Sequence, residues 1–347
     1  MKQKIGKVLL TLMIMFLMTK NVYGAADVDL LPTYYRTSDS NISNAGEYII
    51  YKSINGAKPT QLVRIIIKDG SNRYLGYCID VGATLPGQGG VEDLISPLNQ
   101  SLEDYINSTL NNSAKSKELS KKINEYIYIV DKNIYSGYDM TNVNNKEKGE
   151  YYAAAQLLIW EALYKAGYRQ NYYSENVTLT LGKDGAGDEI VLTKEKNDIL
   201  AAIDNYYKTP SFCSSKERLE LAVGETATYT DNNGVLANYK VNCSDGIKCE
   251  TQGNKLTVSI VKNTGKQDIT FTKSGAGEET KVYREKDYQG VVINQGKIEP
   301  VSCKFGVDTY QNVQTSGMKI TLIISIGLIF GLIAYLIYYR SQILQEK

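Results

Sequence analysis

The sequence predicts two folded parts: an α+β domain over residues 26–209, then an all-β, immunoglobulin-like sandwich module over residues 210–311. Three observations predict this. Up to Thr209, β-branched runs with a strand period share the chain with long apolar stripes of helical period. After Pro210, strand-length runs recur about every ten residues between Asn-Gly, Asp-Gly or Gly-rich turns, the signature of an antiparallel sandwich. Two further apolar segments, one at each end, fit neither part.

Taken in order, residues 1–24 read as an export signal. Lys2, Lys4 and Lys7 give a positive start, Val8 to Met18 is an apolar run too short to span a bilayer, and small residues precede Ala25. Glu47–Tyr51, Gln61–Ile67 and the run ending at Cys78 then read as strands. Pro86-Gly87-Gln88-Gly89-Gly90 reads as a loop beside Cys78. Helices are expected over Leu102–Leu110 and Lys117–Val130, the second because Leu119, Ile123, Tyr126, Ile127 and Val130 keep a helical period. Glu150–Leu163 is the strongest helix, rich in Ala, Leu and Glu with Gly167 just beyond its end. Val177–Leu181 and Glu189–Leu192 form a hairpin across Lys183–Gly187, and Lys194–Tyr207 closes the domain as a helix before Pro210. In the second part, Leu219–Val223, Leu256–Ile260, Asp268–Thr272 and Gly290–Ile293 are sandwich strands. Ile320–Tyr339 is long and apolar enough to cross a membrane, and Arg340 after it keeps the tail cytoplasmic.

Composition narrows the function. The 347 residues carry a net charge of +1, which gives no reason to expect a nucleic-acid partner. There is no His at all, so Cys-His proteases, Ser-His-Asp hydrolases and His-ligated metal enzymes are excluded. Nothing calls for a cofactor. The 28 Tyr fit both strands and an amphipathic binding surface.

The five cysteines divide four to one. Cys213, Cys243, Cys249 and Cys303 all lie after Pro210, and the most economical pairing joins Cys213 to Cys303 and Cys243 to Cys249. A zinc site is the competing reading, although no Cys-x-x-Cys pair is present to support it. Cys78 has no second Cys in its half of the chain. On the helix downstream, Tyr152, Ala155, Gln156, Ile159 and Leu163 fall on one stripe, which puts Gln156 inside. A buried primary amide without partners costs about 1–3 kcal/mol, so Gln156 needs hydrogen bonds or a chemical purpose. A Cys thiol and a Gln amide pressed together in a dry pocket can condense, with loss of ammonia, to an internal thioester.

The segment Tyr77-Cys78-Ile79-Asp80, followed by a helix reading Ala155-Gln156-Leu157-Leu158-Ile159-Trp160, resembles the thioester domains of Gram-positive surface adhesins, whose helix reads Thr-Gln-x-Ala-Ile-Trp. Ala155 and Leu158 depart from that pattern and leave Gln156, Ile159 and Trp160 in register. The resemblance covers about the first two hundred residues. It implies a cell-surface adhesin whose Cys78–Gln156 thioester is opened once, without turnover, by a Lys amine on a host or surface protein. Asp80 is a candidate for orienting the Gln amide or activating the incoming nucleophile. A non-covalent surface protein with an inert Cys/Gln pair is the alternative, and a cysteine acyltransferase a third class that the missing His disfavours. Asn312-Val313-Gln314-Thr315 is similar to a class B sortase sorting signal with Val in the Pro position. Asn312, Gln314 and Thr315 would then direct attachment to the cell wall by sortase; otherwise the C-terminal helix anchors the protein in the membrane.

Overall fold

The computed structural model describes residues 26–31, 34–35, 46–53, 60–80, 94–136, 145–168, 177–182, 189–215, 217–275, 277, 280–284, 290–311 and 328–337. The export signal, the loop at 86–90, the turn at 183–187 and the sorting residues Asn312, Gln314 and Thr315 lie outside them. The chain divides into two compact units, one ending at Lys208 but regaining Ser274–Val301, the other formed by Thr209–Lys273 and the residues from Ser302 on.

The first unit is built on a closed barrel of six strands, β1 (Ala26–Leu31), β5 (Arg64–Asp69), β6 (Asn72–Cys78), β17 (Val291–Ile293), β16 (Lys281–Arg284) and β7 (Leu94–Pro97), each antiparallel to its neighbours. Closure leaves no free edge, and the β-branched residues Ile65, Ile66, Ile67, Val282, Val291, Val292 and Ile293 are fully buried, so these strands are covered on both their inner and outer faces. A second sheet runs β2 (Tyr34–Tyr35), β3 (Gly46–Ser53), β8 (Val177–Gly182), β9 (Glu189–Ile190), with β4 (Thr60–Leu62) also paired to β3. The predicted hairpin is thus β8 with β9.

Among the described residues, four α-helices complete the unit: α1 (Leu102–Leu110), α2 (Ser113–Ile129, continued by a π-helical turn over Val130–Ile134), α3 (Lys146–Lys165) and α4 (Thr193–Tyr207). Their starts follow from capping. The side chains of Ser101, Asn112 and Asn145 accept from backbone N–H groups three residues on and satisfy donors the first helical turn leaves open. Helix α3 is buried on nearly every side from Tyr151 to Trp160, broader than the single stripe the spacing suggests.

The second unit consists of a four-stranded sheet in the order β10 (Leu219–Ala222), β18 (Val301–Tyr310), β15 (Lys266–Lys273), β12 (Lys240–Asn242), and a three-stranded sheet β11 (Thr226–Thr230), β14 (Lys255–Ile260), β13 (Ile247–Gln252). Burial alternates along β14 and β18, as it must when one face of a strand is covered. Phe305 on β18 meets Tyr229 on β11 with ring centroids 5.2 Å apart, and Phe212 packs on both Phe271 and Phe305 at 5.3 Å, so aromatic rings join the two sheets. Cys213 is paired with Cys303, and Cys243 with Cys249.

Two expectations need correction. The run Gly290–Ile293, read as a sandwich strand, returns to the first unit and closes its barrel as β17. A short β-branched run suits any covered sheet, so nothing in it says which unit it joins. The second unit is not wholly antiparallel, because β10 and β18 pair in parallel. Within the expected C-terminal span, residues 328–337 are helical and the rest lie outside the described residues, among which no helix is long and apolar enough to cross a membrane.

Candidate functional site

Cys78 ends β6, between β5 and β17, and helix α3 is laid across it. Three side chains spaced four residues apart on α3, and so stacked on one face, hold that strand end. Tyr152 Oη donates to the Gly76 carbonyl at 2.6 Å and accepts from the Ile65 N–H at 3.2 Å. One turn on, Gln156 Oε1 accepts from the Cys78 N–H at 2.8 Å, and Gln156 Nε2 donates to the Cys78 carbonyl at 2.8 Å. A turn further, Trp160 Nε1 donates to the same carbonyl at 3.0 Å. Cys78 is 5 % exposed and Gln156 3 %.

The carboxamide of Gln156 therefore sits on Cys78 as a neighbouring strand would, giving one acceptor and one donor to the backbone of the residue whose thiol is free and buried. That contact satisfies a primary amide that burial would otherwise penalise. It also places an N–H donor on the Gln156 carbonyl oxygen, where negative charge develops if a nucleophile attacks the acyl carbon. Burial pushes the Cys78 thiol well above the ordinary cysteine range, and the nearby Asp80 carboxylate adds to the effect, so the sulfur is held as a thiol.

Asp80 is also fully buried. Its Oδ1 accepts from Tyr168 Oη at 2.7 Å, while Oδ2 accepts from the Gly290 N–H at 2.9 Å and from Tyr105 Oη. Opposite Cys78 in the barrel stands Val291, and the Ile79 N–H donates to the Gly290 carbonyl at 3.0 Å. Of the residues singled out in the sequence, Cys78, Gln156 and Asp80 come together; the four paired cysteines belong to the other unit. Sequence reasoning placed Trp160 in register with Gln156 but gave its indole no donor role, although its i+4 spacing from Gln156 signals a shared face. It also missed Tyr105, Tyr168 and Gly290, which are remote from Cys78 in the chain and leave no local pattern. Among the described residues, no group of three His, Cys, Asp or Glu side chains is placed to hold a metal ion.

Comparison with known proteins gives the following. Residues 75–210 match the family model described as "TED: Thioester domain". Among solved structures, the chain is similar to the thioester domain of the Staphylococcus aureus TIE protein at 16% identity, covering 83% of this chain and 100% of that one, with a TM-score of 0.48. It is also similar to the thioester domain of the Enterococcus faecium TIE86 protein (15% identity, 83% and 97% covered, TM-score 0.27). A third is the N-terminal thioester domain of fibronectin-binding protein SfbI from Streptococcus pyogenes (12% identity, 73% and 92% covered, TM-score 0.27). No curated protein sequence matches the chain.

Proposed function

We propose, on the premise that residues 75–210 belong to the thioester-domain family, that this chain is a cell-surface adhesin that attaches covalently to its ligand by way of a Cys78–Gln156 thioester. In the first step the Cys78 sulfur adds to the Gln156 acyl carbon. The C–N bond breaks, the amide nitrogen leaves as ammonia with the thiol proton, and a thioester remains. In the second step a Lys amine on a host or surface protein attacks that carbon, the C–S bond breaks, and Cys78 recovers a proton as the new amide forms. The event happens once per molecule and is binding rather than turnover. The second unit, in this reading an immunoglobulin-like stalk, carries the thioester domain away from the cell, with sortase at Thr315 or the C-terminal apolar segment as anchor.

The observation that carries the reading is the seat of the Gln156 carboxamide on Cys78 in a buried site. Burial bears on the chemistry in two ways. It excludes water from the acyl carbon, and by disfavouring the thiolate it makes Cys78 a poor leaving group until a docked ligand changes the surroundings. With no His to activate a hydroxyl, amines should outrun alcohols as acceptors.

A second reading of the acyl partner is favoured by one observation: both polar atoms of Gln156 are already spent on the Cys78 backbone. In that reading Gln156 is a clamp and the acyl group comes from Gln289, which lies outside the described residues but directly precedes Gly290, the residue bonded to Ile79 and Asp80. Peptide mapping of the cross-link decides between them. A Cys78 peptide joined to the Gln156 peptide supports the first, one joined to the Gln289 peptide the second, and neither joined, with Cys78 alkylatable on unfolding, leaves a non-covalent surface protein.

A further inference from the structure

We propose that Asp80 is a positioning residue for the Cys78 chemistry, gathering Tyr105, Tyr168 and Gly290 on one buried carboxylate so that the turn leaving Cys78 is fixed between α1, the end of α3 and β17. The proposal rests on the thioester reading for its reaction but not for its geometry.

Asp80 is two residues past Cys78 and 0 % exposed. Donors reach it from separate stretches of chain: Tyr105 on α1, Tyr168 just after α3, and Gly290 just before β17. Both phenols are themselves 3 % exposed. Such a carboxylate is an acceptor on both oxygens. With donors on both oxygens from separate elements, the carboxylate is held in one orientation and ties those elements to the turn after Cys78, which is what a positioning role requires. The close fit at Gly290 points the same way: a Cβ there would fall 2.7 Å from Tyr105 Oη and 3.2 Å from Asp80 Oδ2, so only glycine lets β17 come this near. The same glycine's carbonyl takes the Ile79 N–H, and the residue after it faces Cys78. Residues 78–80 are thus pinned by backbone to β17 and by the Asp80 side chain to α1 and to the chain just past α3, which keeps the Cys78 N–H and carbonyl aimed at Gln156.

The test uses the full chain with its disulfides intact, as wild type, Asp80→Asn, Tyr168→Phe and Gly290→Ala. Ammonia loss is followed by intact mass after dilution from denaturant, methylamine addition is measured against pH, and hydrogen exchange is read at the Ile79 amide. We expect Asp80→Asn and Tyr168→Phe to melt cooperatively yet condense about tenfold more slowly, in line with the cost of small misplacements at a reacting centre. The thioester they do form should consume methylamine along the wild-type pH curve, and the Ile79 amide should exchange faster. Condensation at the wild-type rate overturns the proposal, and so does a pH curve that loses a limb in Asp80→Asn, because that would make the carboxylate a base. If Asp80→Asn does not fold, Tyr168→Phe decides, since it removes one hydroxyl and keeps the ring. A wild type of full mass would defeat the thioester reading instead; Ile79 exchange then still judges the clamp, faster in Tyr168→Phe if it holds and unchanged if it does not.

Discussion

Opening the thioester with methylamine should cost the first unit far more stability than its chemistry touches. Cys78 and Gln156 are 78 residues apart, so their bond closes a long loop. The loop-entropy relation used for disulfides gives about 4–5 kcal/mol for a loop of that length, and only about 1 kcal/mol more if the partner is Gln289. Methylamine adds to the acyl carbon, frees the thiol and leaves the packing around α3 in place, so the loss is that of the cross-link alone. For a unit of this size each kcal/mol moves the midpoint by roughly 2–4 °C, which predicts a fall of about 8–20 °C. Differential scanning calorimetry on untreated and methylamine-treated protein measures it, with Cys78→Ala and glycerol treatment as controls that should show no shift. An equal melting point before and after treatment, in protein whose mass proves the adduct, would refute the cross-link argument.

Three other outcomes follow from the same geometry. Condensation removes Gln156 Nε2 from the Cys78 carbonyl and leaves Trp160 Nε1 as its donor, so Trp160→Phe should destabilise the condensed protein by about 1–3 kcal/mol in urea unfolding. The Cys78 thiol of the opened form has its pKa raised by burial and by Asp80. Its contribution is fully present below the ordinary cysteine value of about 8.5 and lost as pH rises beyond it. The condensed form has no such thiol, so the gap in melting temperature between the two should widen from pH 7 to pH 9.5; a gap that narrows contradicts the assignment. In the second unit, Cys213–Cys303 spans 90 residues and Cys243–Cys249 only 6, so replacing the first pair by Ser should cost about 4–5 kcal/mol and the second about 2.

Much of this was legible in the sequence, for identifiable reasons. The helices around 102–110, 117–130, 150–163 and 194–207 carry long periodic stripes, and each appears within a few residues of its expected limits. Gln156 was placed inside because its stripe was otherwise apolar, and burial agrees. What could not be read was the return of the chain. Val291, Val292 and Ile293 have the same β-branched character as strands of the second unit, and only tertiary pairing with Tyr77 and Cys78 assigns them to the barrel. The Asp80 cluster was hidden for the same reason: Tyr105, Tyr168 and Gly290 lie 25, 88 and 210 residues from the carboxylate they serve. Trp160 was legible in position but not in role, since an indole at a core position reads as apolar until its N–H is given a partner.

The most direct test of covalent binding is the intact mass of the purified protein under conditions that preserve acyl bonds. The account predicts that the wild type, after allowance for the hydrogens lost to the two disulfides, is lighter than its sequence by one ammonia, and that Cys78→Ala has its full mass. A wild type at full mass, with Cys78 open to alkylation on unfolding, would contradict it.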